Sequence, residues 1–193
     1  AADLIRSFKQ VAVDQTSEQP RRIDLKSYVD EVLVSLRPKY KKTQIQVVND
    51  IPPDLSLELI PGALAQVITN LVTNSLIHGF DNAEQAGHIS FTAHKTNDSV
   101  ILLYRDDGQG MDEHVRSHIF DPFFTTRMGS GGTGLGMHVV YNIVTNVLGG
   151  EITIETERRT LLDPLKRDRA LVEPGEYAAV KVIDRGSGIP QDK

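Results

Sequence analysis

The chain has no cysteine, so it can form neither a disulfide nor a thiolate metal site. No apolar run approaches the ~18 residues of a membrane span, and nothing resembles a secretory leader. Positive charge is scarce: 21 Lys and Arg stand against 26 Asp and Glu, a net charge of −5. That balance argues against non-specific binding to nucleic acid. The richest glycine segment has no Gly-Lys-Ser/Thr, so it is not a P-loop, and no parallel strand leads straight into it as a dinucleotide fingerprint requires. What remains is 193 residues, 39% hydrophobic and 24% charged, enough for one domain with a sizeable core.

Three segments carry chemistry. The first is the glycine run, with Gly129, Gly131, Gly132, Gly134 and Gly136 followed by apolar residues at Val139, Val140, Ile143, Val144 and Val147. That spacing predicts a helix beginning near Gly134. Its free N–H groups and dipole suit an anion, and Thr133 adds a hydroxyl. A plain flexible loop is the competing reading. The second is Asp106-Asp107-Gly108-Gln109-Gly110-Met111, at the end of an apolar strand over 99–105. A carboxylate buried there requires hydrogen-bond donors. The adenine amino group is one, whereas guanine presents an acceptor at that position. An Asp-Gly turn is the ordinary alternative. The third is Asn70 and Asn74, four apart on one face of a predicted helix that starts at Pro61. Amide oxygens suit Mg²⁺, which also takes phosphate oxygens. A solvated polar face would explain them too, although Leu71, Val72, Leu76 and Ile77 around them speak for partial burial.

In this order the segments resemble the catalytic, ATP-binding domain of sensor histidine kinases, within the superfamily that unites gyrase, Hsp90, the histidine kinases and MutL. Asn70 to His78 resembles the asparagine box, Asp106 to Met111 the first glycine box, Ile119 to Arg127 the phenylalanine box, and Gly132 to Met137 the second glycine box. The resemblance covers about residues 1–157. It implies an α+β fold, a two-layer α/β sandwich (the Bergerat-type ATP-binding fold) with a mixed sheet and helices on one face. It implies ATP and Mg²⁺ as cofactors, with Asn74 the metal ligand and Asn70 near the metal's waters. Asp106 is expected on the adenine amino group, with Gly108, Gly110 and Met111 along the base. His78 and Arg127 are phosphate candidates, and Thr133, Gly134, Leu135, Gly136 and Met137 cradle the phosphates. Asn70 and Arg127 are the expected catalytic residues. Gyrase-like relatives carry a glutamate base where Asn70 stands, so transfer to histidine is implied rather than hydrolysis. A non-catalytic, nucleotide-dependent switch module of the same superfamily is the alternative.

The resemblance also sets expectations for organisation. Residues 1–18 would end a dimerisation helix, 19–183 would form the ATP-binding domain with a lid at about 112–133, and 184–193 would be a tail. The lid should be mobile without nucleotide, with Phe120 and Phe123 as its packed end. None of His78, His88, His94, His114, His118 or His138 sits in a phosphoacceptor helix. The expected partners are therefore a histidine-bearing dimerisation domain, in cis or trans in a full-length homodimer, and a response regulator receiver domain, without nucleic acid. The domain would be cytoplasmic, with membrane anchoring left to the rest of a full-length protein.

Local signals predict further elements. Asp24 should cap a helix over 25–37 that Pro38 ends. Strands are expected over 43–49, 55–59, 88–95, 99–105, 151–157 and 176–183, with the third and fourth forming a hairpin around Asn97-Asp98. His114 and His118, four apart, suit either one metal or simple solvation. Phe120, Phe123 and Phe124 suit lid anchoring better than a partner patch. Lys39 to Lys42 reads as a charged turn. A second Asp-x-Gly-x-Gly at 184–188 either opens another module or trails the last strand of this one; the absence of a preceding asparagine helix favours the latter.

Overall fold

The structure is a computed structural model that describes residues 19–96, 99–127, 132–159, 165–167, 170–172 and 175–184. The expected end of a dimerisation helix at 1–18, the Asn97-Asp98 turn, Met128 to Gly131 of the lid, and the glycines of the second Asp-x-Gly-x-Gly all lie outside these residues.

Strand β1 (Arg21–Asp24) leads into helix α1 (Leu25–Tyr40). Asp24 caps it, its Oδ1 accepting from the Ser27 N–H at 2.9 Å. Pro38 lies inside α1 and does not end it. Proline forfeits one N–H and crowds the carbonyl four residues back. In the last turn this is tolerated, because the Lys41 N–H still closes onto the Arg37 carbonyl at 2.8 Å and the Tyr40 hydroxyl donates to the Leu33 carbonyl at 3.0 Å. Next come β2 (Ile45–Asn49), β3 (Ser56–Leu59) and α2 (Pro61–Asn74), with proline at its first position. β3 pairs antiparallel with β1, a partner that its own alternation did not reveal.

A hairpin of β4 (Gly87–Lys95) and β5 (Val100–Asp106) follows. Its register sets Ile89 opposite Asp106, Phe91 opposite Tyr104 and Ala93 opposite Leu102. These six side chains are all buried, while His88, His94 and Arg105 on the other face are exposed. Strand period two therefore delivers Asp106 to the core face. Short helix α3 (Glu113–His118) and helix α4 (Gly136–Asn142) precede β6 (Gly150–Arg159), the small hairpin β7 (Leu165–Arg167) and β8 (Ala170–Val172), and β9 (Gly175–Asp184).

The main sheet has the order β2-β4-β5-β9-β6. Only β2–β4 is parallel, so the sheet is mixed. The last strand enters between β5 and β6, which makes it an interior strand of this sheet. Val29, Val32, Ile68, Val72, Val140 and Val144 of the helices share one core with Ile89 and Phe91 of the sheet. The fold is α+β, with helices on one face.

Candidate functional site

Helix α2 does not stop at Asn74. It widens into a π turn, Ser75–Gly79, in which the Phe80 N–H reaches back to the Ser75 carbonyl at 2.9 Å. Such widened turns are frequent at functional sites. Here the turn rotates Ser75 inward and carries His78 and Gly79 toward the end of β5. Three consecutive residues, Asp81, Asn82 and Ala83, then take positive φ. Phe80, fully buried, anchors the segment.

Gly108 fits closely against this turn. A Cβ there would stand 2.7 Å from the Gly79 Cα and 2.8 Å from its carbonyl group. The Gln109 N–H donates to the Gly79 carbonyl at 3.0 Å, and the Gln109 amide to the His78 carbonyl at 2.5 Å. Gly108 thus allows backbone to meet backbone. Expected along the base, it is absent from the cavity wall, because the π turn already fills the space beside it.

Asp106 is 9% exposed. Its Oδ1 accepts from the Gly108 N–H at 3.1 Å and its Oδ2 from the Ser75 hydroxyl at 2.6 Å. Ser75 Oγ also lies 2.6 Å from the Tyr104 hydroxyl, whose oxygen stands 3.2 Å from the Leu71 carbonyl oxygen. Burial pushes the Asp106 carboxyl above its ordinary range, and the bonds from Ser75 and Gly108 pull partly back. Tyr104 is pushed well up by burial and by the neighbouring Asp106.

These residues edge a cavity of about 480 Å³ whose wall joins Asn70, Asn74, His78, Asp106, Gly110, Met111, Thr133, Gly134, Gly136 and Met137. All three sequence segments therefore converge. Gly136 opens α4 so close to α2 that a Cβ there would stand 3.2 Å from Asn74 Oδ1. The run Gly132 to Gly136 delivers this helix start by a tight path. Gly134 takes φ +68, and a Cβ on it would stand 2.4 Å from the Phe123 carbonyl carbon. Asn70 and Asn74 are half-buried. Asn70 Oδ1 accepts from Gln66 at 3.4 Å, whereas no hydrogen bond to the Asn74 side chain occurs among the described residues.

Besides Gly108, two expected residues stand off the wall. Leu135 is an exposed hydrophobic. Arg127 pairs with Asp81, which holds its guanidinium away from the cavity. Its charge still reaches His78, whose pKa is lowered first by burial and then by Arg127. His78 Nδ1 lies 3.2 Å from Thr126 Oγ1.

The phenylalanines divide differently from expectation. Phe120 packs against the core, its ring 5.2 Å from Tyr141. Phe123 is 67% exposed at φ +65, so it is not the packed end of the lid. The tight Gly134 contact uses its backbone and turns its ring out. Phe124 instead lines the cavity, with the rings of His114 and His118 at 5.8 and 5.7 Å. Those two histidines form a ring cluster, and no group of three or more His, Cys, Asp or Glu fit for a metal occurs among the described residues. Ser75, Tyr104 and Gln109 were not singled out as site residues in the sequence, and Phe124 was read only as a lid anchor. Ser75 adjoins Asn74, but nothing local marks it as the partner of a residue 31 positions away.

Residues 60–166, more than half of the chain, match the family model described as histidine kinase-, DNA gyrase B- and HSP90-like ATPase. Sensor histidine kinase ZraS of Escherichia coli is 32% identical over 70% of this chain. The chain spans only 21% to 28% of the length of such sensor proteins. The nucleotide-free catalytic domain of histidine kinase ThkA is similar at 27% identity and a TM-score of 0.64, covering 86% of this chain and 96% of that one. The same kinase in complex with response regulator TrrA aligns at 23% identity and a TM-score of 0.60, over 86% of this chain and 42% of that one. No helix among the described residues is long and apolar enough to cross a membrane.

Proposed function

Since the chain belongs to the histidine kinase-, DNA gyrase B- and HSP90-like ATPase family, we propose that it is the ATP-binding catalytic domain of a two-component sensor histidine kinase, passing the γ-phosphoryl group to a histidine on a separate helical domain. The observation that carries this reading is the convergence of Asp106, Asn74 and the start of α4 on one cavity wall. Asp106 accepts from the adenine amino group. Gly110 and Met111 lie along the base, and the backbone from Thr133 to Met137 meets the phosphates. Arg127, expected at the phosphates, would first have to leave Asp81.

The amide of Asn74, with no hydrogen-bond partner among the described residues and facing the helix start, fits a Mg²⁺–phosphate pair, and Asn70 one turn away suits the metal's waters. Bound there, Mg²⁺ would neutralise charge on the phosphate oxygens. The chain's own residues contribute positioning, which dominates phosphoryl transfer. Asn70 cannot take a proton from water, which favours an external histidine as acceptor.

The partners follow as proposals: a histidine-bearing dimerisation domain within a homodimer and a response regulator receiver domain, all on the cytoplasmic side. The test supplies a dimerisation-helix domain in trans with γ-labelled ATP and Mg²⁺. Label on the acceptor histidine is expected from the wild type. Asn74→Ala should lose transfer while keeping its melting temperature, since alanine is the better helix former. Transfer by this variant at the wild-type rate overturns the metal role. Tight ADP binding with no transfer from the wild type leaves a nucleotide-dependent switch.

A further inference from the structure

The adenine end of the cavity holds more than Asp106. Behind it runs a buried chain of oxygens: Asp106 Oδ2, Ser75 Oγ at 2.6 Å, the Tyr104 hydroxyl at a further 2.6 Å, and the Leu71 carbonyl at 3.2 Å. Among the described residues, Ser75 and Asp106 are the buried polar side chains, Tyr104 is 3% exposed, and no buried side-chain polar atom lacks a partner. Each hydroxyl has one hydrogen to donate. With Asp106 ionised, Ser75 must donate to Oδ2. It then accepts from Tyr104, whose hydrogen is directed to Ser75, and the Leu71 carbonyl keeps its bond from the Ser75 N–H. The Gly108 N–H meanwhile occupies one position on Oδ1 at 3.1 Å. Both oxygens are thus held by donors from behind, and the carboxylate presents only acceptor positions to the cavity.

We propose that Ser75 and Tyr104 are specificity-determining positioning residues, which lock Asp106 as a one-way acceptor and so make the site read the 6-amino group of adenine. The proposal rests on the nucleotide reading of the cavity and deepens it. Neither residue touches the base; they act through the carboxylate. Without the Ser75 donor, Asp106 Oδ2 is buried with one partner fewer, which favours a protonated carboxyl. A protonated carboxyl offers a donor that suits a 6-oxo base as well. Tyr104 matters because it supplies the hydrogen that lets Ser75 spend its own on Asp106. Without it, the Ser75 hydroxyl loses the donor that fixes its rotor.

The test compares ADP with purine riboside 5′-diphosphate, which lacks only the amino group, by titration calorimetry with Mg²⁺ on the whole chain. Tyr104→Phe keeps the ring and its edge contact with Phe91 at 5.0 Å, and Ser75→Ala keeps the helix. In each, the preference for ADP should fall roughly tenfold, about the net worth of one hydrogen bond, while purine riboside diphosphate binds as in the wild type. A carbon-13 titration of the Asp106 carboxyl should also move upward in Ser75→Ala, because a donor to the ionised form has gone. Equal weakening of both ligands marks a merely structural role and overturns the proposal. So does an unchanged preference in both variants. A wild type that binds both ligands equally well defeats the adenine reading of Asp106 itself, and a wild type that binds neither defeats the nucleotide site. Both of these outcomes are visible before any variant is made.

Discussion

Asp106 is the residue on which two opposite pH effects meet. Its folded pKa is raised, chiefly by burial. For a carboxyl this stabilises the fold fully below the ordinary value of 3.8, and the contribution is lost as pH rises through the raised value. On the proposed reading adenine needs the ionised acceptor, so binding works in the other direction. The affinity of wild type relative to Asp106→Asn should therefore fall on acidification, at a pH above the ordinary carboxylate range. At neutral pH, Asp106→Asn should weaken ADP by roughly 10- to 150-fold, about 1.5–3 kcal/mol, and leave the melting temperature unchanged or higher. Equal GDP and ADP binding by the wild type would refute the selectivity. The inward aim of Asp106 was legible in the sequence, because alternation along β5 puts it on the side of Leu102 and Tyr104. Its partner Ser75 was not, since 31 residues separate the two. The Asp81 partner of Arg127, 46 residues away, was equally hidden.

At the scale of elements, two glycines make the site by different means. Gly108 separates nothing but backbone: its Cβ would meet Gly79 Cα at 2.7 Å. Neither side can yield without moving β5 from the π turn, so Gly108→Ala should destabilise by roughly 2–3 kcal/mol, read as a lower denaturation midpoint. At Gly136 the nearest atom is the side-chain oxygen of Asn74 at 3.2 Å, which can swing aside. Gly136→Ala should keep its stability, since alanine favours the helix by about 1 kcal/mol, yet lose about tenfold in Mg²⁺–ADP affinity while metal-free ADP binding changes little. Equal loss with and without metal would count against Asn74 as the ligand. The α2 helix, its Pro61 start and the α4 start near Gly136 were readable from periodicity and end signals. The π turn was not, because it arises where Phe80 must reach the core, and that demand belongs to packing. Pro38 misled for a different reason: bonds within the same helix, from the Tyr40 hydroxyl to Leu33 and from the Lys41 N–H to Arg37, support a helical turn that proline alone would end.

At the scale of the molecule, β9 joins the sheet together. It pairs with β5 along all seven residues of that strand and with β6 along ten. The family match ends at residue 166, before β9 begins. A chain cut after Arg159 should nevertheless lose cooperative unfolding and ADP binding, because β5, which carries Asp106, would become a bare edge and β6 would lose its partner. A cooperative melt from that truncation, at the full-length midpoint, would show β9 to be dispensable. By itself the sequence determined the three segments that meet at the cavity, the elements that carry them and the face on which Asp106 and the asparagines lie. Each of these follows from spacing within a few residues, where helix and strand periods and glycine's conformational freedom act. The tertiary structure decided that β9 runs between β5 and β6, that Phe124 rather than Phe123 faces the cavity, and that Arg127 rests on Asp81. It also decided that Tyr104 and Ser75 stand behind Asp106. These depend on strand register and on how helices seat on a sheet, and both are set by the packing of the whole core.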